Sequence, residues 1–397
     1  MALKVQLLII VLVWVSTDMV VKQSARFSDL PLSLIQQLPS ANANPFLNEA
    51  FLSALEETGC VAAETGWQPC HLWLEDAGAP VFYLPLYRKA HSWGEFVFDQ
   101  NWADAYHRNG LRYYPKLVTS IPFTPSSGPR WWAAEGYDQS ELWKQVFDVI
   151  RTQIKSGADS SWHLLFSEQA PPANPDGLLL SRRDTQFHWN NRGYNHFDDF
   201  LATLKSRKRK SLRRERQKVM EQGVTLCRVT GTELNEQDWL DYFQFYCNTY
   251  HQRGMEPHLN LAFFQRIGRT LANNVLMVQA YKEGRFIGGS LCFFDAKVLY
   301  GRHWGAIENI DCLHFEACFY QGIEFCIERG LSRFDPGTQG EHKLIRGFEP
   351  VTTTSWHYIS HSGFRHAIAQ YLQSEQQHMQ QYQENATEYL PFKITEN

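Results

Sequence analysis

Hydrophobic and polar positions along the chain switch between two periods. In "PFLNEAFLSALEETG" (45–59) apolar residues recur every three or four positions, after Pro45 and up to Gly59, which predicts a helix. "CHLWLED" and "PVFYLPLYRK" read as two strands about the turn residues Gly78 and Pro80. "LWKQVFDVIRTQIKSG" (142–157) returns to the helical period and stops at Gly157, and "SWHLLFS" (161–167) is a short strand. Pro, Asn and Gly then cluster in "APPANPDG" (170–177), the best linker candidate.

Beyond that linker the pattern is clearer. Asn195 is placed to cap a helix from His196 to Gln222 that Gly223 terminates. A strand (224–229), a helix (234–254) and a second helix in "LAFFQRIGRTLAN" come next. Residues 275–305 predict three strands joined by turns at Lys282-Glu-Gly-Arg and Asp295-Ala-Lys. A helix over 313–330, capped by Asp311 and closed by Gly330, precedes short strands near 332–334 and 354–359 and a Gln-rich helix over 363–384. The expected organisation is an N-terminal extension outside the fold (1–26), a first domain (27–180), a second domain holding the active site (181–365), and a C-terminal polar helix and tail (366–397).

Composition narrows the class. The 397 residues are 44% hydrophobic and 20% charged, as a globular chain of two domains would be. Aromatic residues make up 14%, enough both for a large core and for lining a groove. The eight cysteines form no C-x-x-C pair and sit among apolar residues, so they read as reduced core residues, and no metal is expected. Leu7 to Val15 is an apolar run of nine, short of the roughly 20 residues a spanning helix needs. No small-x-small cleavage site follows it, so it reads either as a signal or anchor or as a start-site extension upstream of Met19.

The net charge of −4 argues against a chain that coats nucleic acid over its whole surface. Charge is nonetheless concentrated. "LKSRKRKSLRRERQK" (204–218) holds nine cations and one carboxylate, so this segment is +8 and the remainder carries −12. A localised anionic partner follows from that asymmetry, with Arg207, Lys208, Arg209 and Arg213 as candidate phosphate contacts.

Five stretches in order, "ADAYHRNGLRYYPKL" (103–117), "PFTPSSGPR" (122–130), "FHWNNRGYNHFDDFLATLKSRKRKSLRRER" (187–216), "HFEACFYQGIEFCIERGL" (314–331) and "FDPGTQGEHKLIRGFEP" (334–350), resemble the FemAB-like proteins of the GNAT superfamily. The resemblance runs from about Pro45 to Ile359. It implies an α/β (α+β) fold of two tandem GNAT-like acyltransferase domains with mostly antiparallel sheets flanked by helices. The predicted three-stranded meander, helix and further strand fit that plan. It also implies a cytoplasmic enzyme, working in the cytosol or at the inner face of the membrane, that transfers an acyl or aminoacyl group to an amine of a phosphate-bearing acceptor such as a cell-wall precursor. Fem-type enzymes that use tRNA often insert a coiled-coil arm, and no such heptad insertion is visible here. "GRHWGAIENIDCLHFE" (301–316) lacks the Gly-rich spacing with which GNAT enzymes hold coenzyme A. The donor, aminoacyl-tRNA or acyl-CoA, therefore stays open, as does an acyl-CoA-dependent N-acetyltransferase. A non-catalytic nucleic-acid-binding protein using the 204–218 helix is the rival from another class.

The irregular 334–350 stretch carries the candidate chemistry. Glu341 and His342 are the candidate bases, and Lys343 the candidate oxyanion or phosphate donor. Gly337 and Gly340 let the loop approach a ligand, and Asp335 reads as a turn residue. Lys343 and Arg346 would repel each other unless an anion sits between them. Thr124 and Arg130 are candidate substrate contacts from the first unit, and Tyr194 and Arg192 candidate acceptor contacts. Arg302, His303 and Glu308 form a second tier, and His314, in the first turn of its helix beside Phe315, could face the cleft but reads rather as a satisfied half-buried histidine.

Overall fold

The computed structural model describes residues 19–393 apart from Gln339, so the expectations for residues 1–18 lie outside the described residues. The first half runs β1 (Val20–Ser24), α1 (Leu32–Ile35), α2 (Glu49–Glu57), β2 (Trp67–Pro69), β3 (His71–Asp76), β4 (Ala79–Leu84), β5 (Tyr87–Lys89), α3 (Gln100–Arg108), β6 (Lys116–Thr119), β7 (Trp132–Ala133), α4 (Gln139–Lys155) and β8 (Ser161–Leu164). The second runs β9 (Leu179–Asn190), α5 (Phe197–Thr203), α6 (Ser206–Glu221), β10 (Val224–Thr230), α7 (Glu236–His251), α8 (Leu261–Thr270), β11 (Val275–Lys282), β12 (Arg285–Phe294) and β13 (Val298–Ala306). It closes with α9 (Leu313–Phe315), a π turn (Glu316–Tyr320), α10 (Gln321–Arg329), β14 (Arg333–Asp335), β15 (Glu349–Ile359) and α11 (Ser362–Glu388).

Helices and strands interleave as the α+β expectation requires. A four-stranded sheet, β1-β3-β4-β7, covers one side of the first half. An eleven-stranded sheet, β10-β11-β12-β13-β14-β9-β15-β8-β6-β5-β2, runs through both halves. Its bridge is the antiparallel pair β9–β15, in register from Leu179↔Tyr358 to His188↔Glu349. Large aromatics fill the interior: Trp67, Trp143, Trp162 and Trp189 are fully buried.

Several sequence expectations need correction. Residues 20–24 belong to the fold: β1 pairs with β3, Lys22 Nζ lies 2.7 Å from Glu75 and Ser24 Oγ accepts from the Trp73 indole at 3.2 Å. The α2 helix starts at Glu49 rather than Pro45, because Asn48 Oδ1 accepts from the Phe51 amide and caps it. The helix expected over 196–222 is two helices. The chain becomes extended at Leu204, which bridges Phe392, while the Lys205 amide donates to Pro391 O at 2.8 Å. Gly223, at φ +75°, ends α6 as expected. The 313–330 helix is broken by the π turn, and Cys312, at φ +66°, stands at its cap, while Asp311 pairs with Lys218 at 2.8 Å.

The sheet opens where the site lies. β13 pairs with β14 only from Val298 to Tyr300. Beyond that point the ladder between the two strands ends. On the other edge of β13 a bulge between Leu291 and Cys292 leaves Arg302 without a partner residue in β12. Helix α7 closes over the far end of β13, where Asn248 Nδ2 donates to Ala306 O at 2.7 Å and Thr249 Oγ1 to Trp304 O at 2.9 Å. Gly305 permits that contact, since a Cβ there would stand 2.2 Å from the Phe245 carbonyl carbon.

Candidate active site

A cleft of about 400 Å³ occupies the opening. Its walls come from α7 and the loop after it, the bulged β12–β13 pair, the π turn, the 334–350 stretch, and Phe96 and Pro125 of the first half. Each wall is irregular for a local reason. The π turn places Cys318 and Phe319 on the cleft, a register a regular helix would not give. Residues Glu341–Arg346 form a 3-10 helix between Gly340 (φ +142°) and Gly347 (φ +88°). A Cβ on Gly337 would stand 2.9 Å from Gly301 O, so only glycine lets the loop lie against β13.

Lys343 is the centre of the predicted loop that reaches the cleft. It is 3% exposed, and its Nζ donates to Gly337 O at 2.9 Å and to Thr338 O. Two of three ammonium donors are thus spent on carbonyls and one is uncommitted. Burial pushes the lysine down to about 8, against the pull of the nearby Asp335 carboxylate. Asp335 caps the turn as expected, accepting from the Gly337 amide at 2.9 Å. His342 lines the mouth of the same cleft, and burial with Lys343 and Arg346 nearby lowers its basicity. His314 lines the cleft too, 6.2 Å from His342, ring centre to ring centre, and is pushed down to about 4 by burial and the surrounding cations.

The other predicted residues lie elsewhere. Glu341 is exposed and accepts from Tyr382 Oη at 3.1 Å, away from the cleft, so the structure does not place it as the base. Arg346 is buried and saturated: it pairs with Glu215 at 2.8 Å, donates to His342 O at 2.7 Å and stacks 3.6 Å from the Phe315 ring centre. The anion expected beside Lys343 and Arg346 is thus supplied for Arg346 by Glu215. Arg130 is 2% exposed and donates to Leu165 O (2.8 Å), Pro129 O (3.1 Å) and Ser126 O, so it ties a loop rather than meeting a ligand. Thr124 Oγ1 is likewise turned inward, donating to Pro122 O at 3.0 Å. Tyr194 packs on Trp189 and Phe200, Arg192 pairs with Glu349 at 2.8 Å, and Glu308 pairs with Lys282 and Arg285.

Arg207, Lys208, Arg209 and Arg213 lie on α6 and do not line the cleft. Arg213 pairs with Asp198 at 2.8 Å. Three residues that the sequence reading passed over do line it: Arg253, His258 and Tyr250. The first two come from "QRGMEPHLN" (252–260), whose mix of Gly, Pro and charge between two helices is the same signal that singled out the 334–350 stretch. Arg302 and His303 also line it, and burial pushes Arg302 down to about 10 and His258 to about 4.

The fold is thus an α/β protein whose bulged sheet opens on a cleft lined by one buried lysine and four histidines of lowered basicity. The chain belongs to the FemAB-like family, described as peptidoglycan biosynthesis/recognition, whose model matches residues 29–394. Among solved structures it is similar to FemX at 11% identity, over 82% of this chain and 94% of that one, with a TM-score of 0.47. It is similar to L-PGS from Bacillus licheniformis at 9% identity (78% and 90% covered, TM-score 0.46). It is also similar to a tandem GNAT protein from the clavulanic acid biosynthesis pathway at 7% identity (86% and 99% covered, TM-score 0.44). A search of curated proteins gave no match.

Proposed function

We propose that the protein transfers an acyl or aminoacyl group from an activated ester or thioester to an amine, in the cleft between β13 and the 334–350 loop. The observation that carries this reading is Lys343, a buried ammonium held by two loop carbonyls with one N–H uncommitted at the cleft wall. The acceptor nitrogen attacks the donor carbonyl carbon, and the carbonyl oxygen becomes an oxyanion that Lys343 stabilises. His342 takes the proton released from the nitrogen. The bond to the donor oxygen or sulfur then breaks, and the proton passes to that leaving atom.

Family membership supports a cell-wall precursor as the phosphate-bearing acceptor. The α6 surface supports a polyanionic co-substrate, whether tRNA, CoA or the acceptor itself: among the described residues Lys205, Arg207, Lys208, Arg209, Lys210 and Arg214 make no ion pair, and the outward face of the helix is basic. No helix among the described residues is long and apolar enough to cross a membrane, and a cytosolic site with peripheral membrane contact belongs to the same proposal.

Mass spectrometry of ligands that copurify with the full chain selects the donor and acceptor. Transfer assays with wild type, Lys343→Met and His342→Gln then test the roles. Turnover that survives both substitutions sinks the assignment.

A further inference from the structure

The charges lining the cleft all have one sign. Arg253, Arg302 and Lys343 line it, and none of its lining residues is Asp or Glu. Among the described residues none of these three cations makes a salt bridge. The nearest carboxylate acting on Arg302 and Lys343 is Asp335, which is buried outside the lining and already spends one oxygen on the Gly337 amide. The four lining imidazoles, His258, His303, His314 and His342, are all held below the usual histidine range. They add neutral donors and acceptors rather than negative charge.

Elsewhere buried Lys89 and Arg130 are held by backbone carbonyls, whereas other cations meet carboxylates. Lys116 sits between Glu95 and Asp99, Arg346 on Glu215, and Arg216 on Glu316 and Glu324. Three cations facing one cleft repel each other, and Asp335 alone does not balance them, so an anionic ligand bound among them would offset that cost. Resting on the acyl-transfer reading above, we infer that the cleft recognises its substrate by an oxyacid anion, a phosphate or a carboxylate, held between Arg302 and Lys343 with Arg253 at the rim. None of the lining residues offers a carboxylate to an ammonium inside the cleft.

Calorimetric titration of the full chain with inorganic pyrophosphate, succinate and glycinamide tests this without requiring turnover. The expected result is binding of pyrophosphate or succinate, weakened at least tenfold in Arg302→Met and Lys343→Met. Lys343→Arg should retain it, which separates lost charge from lost fold. The variant Lys155→Ala, exposed at the end of α4 and outside the cleft, should bind as wild type does. Binding of pyrophosphate alone identifies the group as a phosphate, and binding of succinate alone as a carboxylate. The inference is overturned if neither anion binds, if the cleft variants bind as wild type does, if the Lys155 variant loses binding, or if glycinamide binds as well as the anions. If anion binding is lost in the cleft variants as expected while His342→Gln and Lys343→Met transfer at wild-type rates, the acyl-transfer reading falls and the anion site stands.

Discussion

Lys116 and Lys343 are both buried, one in each half of the molecule, and they differ in what surrounds the ammonium. Lys116 is 0% exposed and meets Glu95 at 2.7 Å, Asp99, and Ser92 Oγ at 2.9 Å. Desolvation opposes its charge, but the two carboxylates win and its pKa is raised. Lys343 meets two backbone carbonyls, and with no carboxylate in contact burial wins and the pKa falls to about 8. Burial alone does not make a lysine functional. The first ammonium is a structural tie whose donors are used up, and the second is held ready at the wall of a cleft.

The largest effect should come from breaking the first. Lys116→Met leaves Glu95 and Asp99 buried without their cation, and one of them must then take up a proton on folding. Glu95 is already pushed up to about 7 by desolvation even with Lys116 present. The expected loss is ~3–5 kcal/mol of folding stability, read by denaturant titration. Lys343→Met should lose no more than ~1 kcal/mol in the same experiment, since it removes a charge that costs energy to bury. Similar losses for the two variants would erase the distinction.

Function should show the reverse order. Transfer by Lys343→Met should fall by about 10²–10³-fold, the usual effect of deleting one oxyanion donor, while Lys116→Met that remains folded should keep its turnover. The measurement is kcat with the donor that copurification identifies.

The two lysines should also respond to pH with opposite signs. The folded pKa of Lys343 lies near 8, below the ordinary 10.5, so between those values the unfolded chain binds more protons and the Lys343 contribution to stability rises with pH. The folded pKa of Lys116 is raised, so its contribution is fully present below the ordinary lysine value and is lost as pH climbs through the folded pKa. Anion binding in the cleft needs the charged Lys343 and should weaken above about pH 8, and Lys343→Arg should move that alkaline limb upward. The groups whose charge acts on Lys343 are Asp335 and Cys318, and Lys343 and Arg346 act on His342. A limb that stays near 8 in the arginine variant would assign it to another group.

The sequence made this contrast only half legible. The meander β11–β13 and helices α4, α7 and α8 follow from hydrophobic period and turn residues, signals that lie within a few positions of each other in the chain. Strand β9 was missed although it is central. Its middle, Ser181 to Gln186, reads as a polar stretch, yet it pairs with β15 while Arg182 bonds to Glu375 of α11 at 2.7 Å. A strand whose outer face is covered by a polar helix shows no alternation. In the 334–350 loop, local composition singled out Lys343 and His342, and both line the cleft. It could not separate them from Arg346, because Glu215 lies 131 positions away in sequence. The same holds for Arg130, whose partner Leu165 O is a backbone atom that side-chain identity does not report.

Glu341→Gln should have the smallest effect, and it sharpens the comparison. Glu341 sits two residues from Lys343 and carries the charge that a sequence reading makes the general base. On the 3-10 helix of Glu341–Arg346, however, those two residues point apart: Lys343 is buried at the cleft, and Glu341 is exposed and accepts from Tyr382 Oη. Removing its charge should leave turnover and the pH profile unchanged, and the loss of one exposed hydrogen bond should move the melting temperature by no more than a degree or two. His342→Gln, one residue further on and lining the cleft, should lower kcat by about 10²-fold or more. A drop in turnover for Glu341→Gln that matches the loss in His342→Gln would return the base to Glu341, and would mean that the loop rearranges when substrate binds.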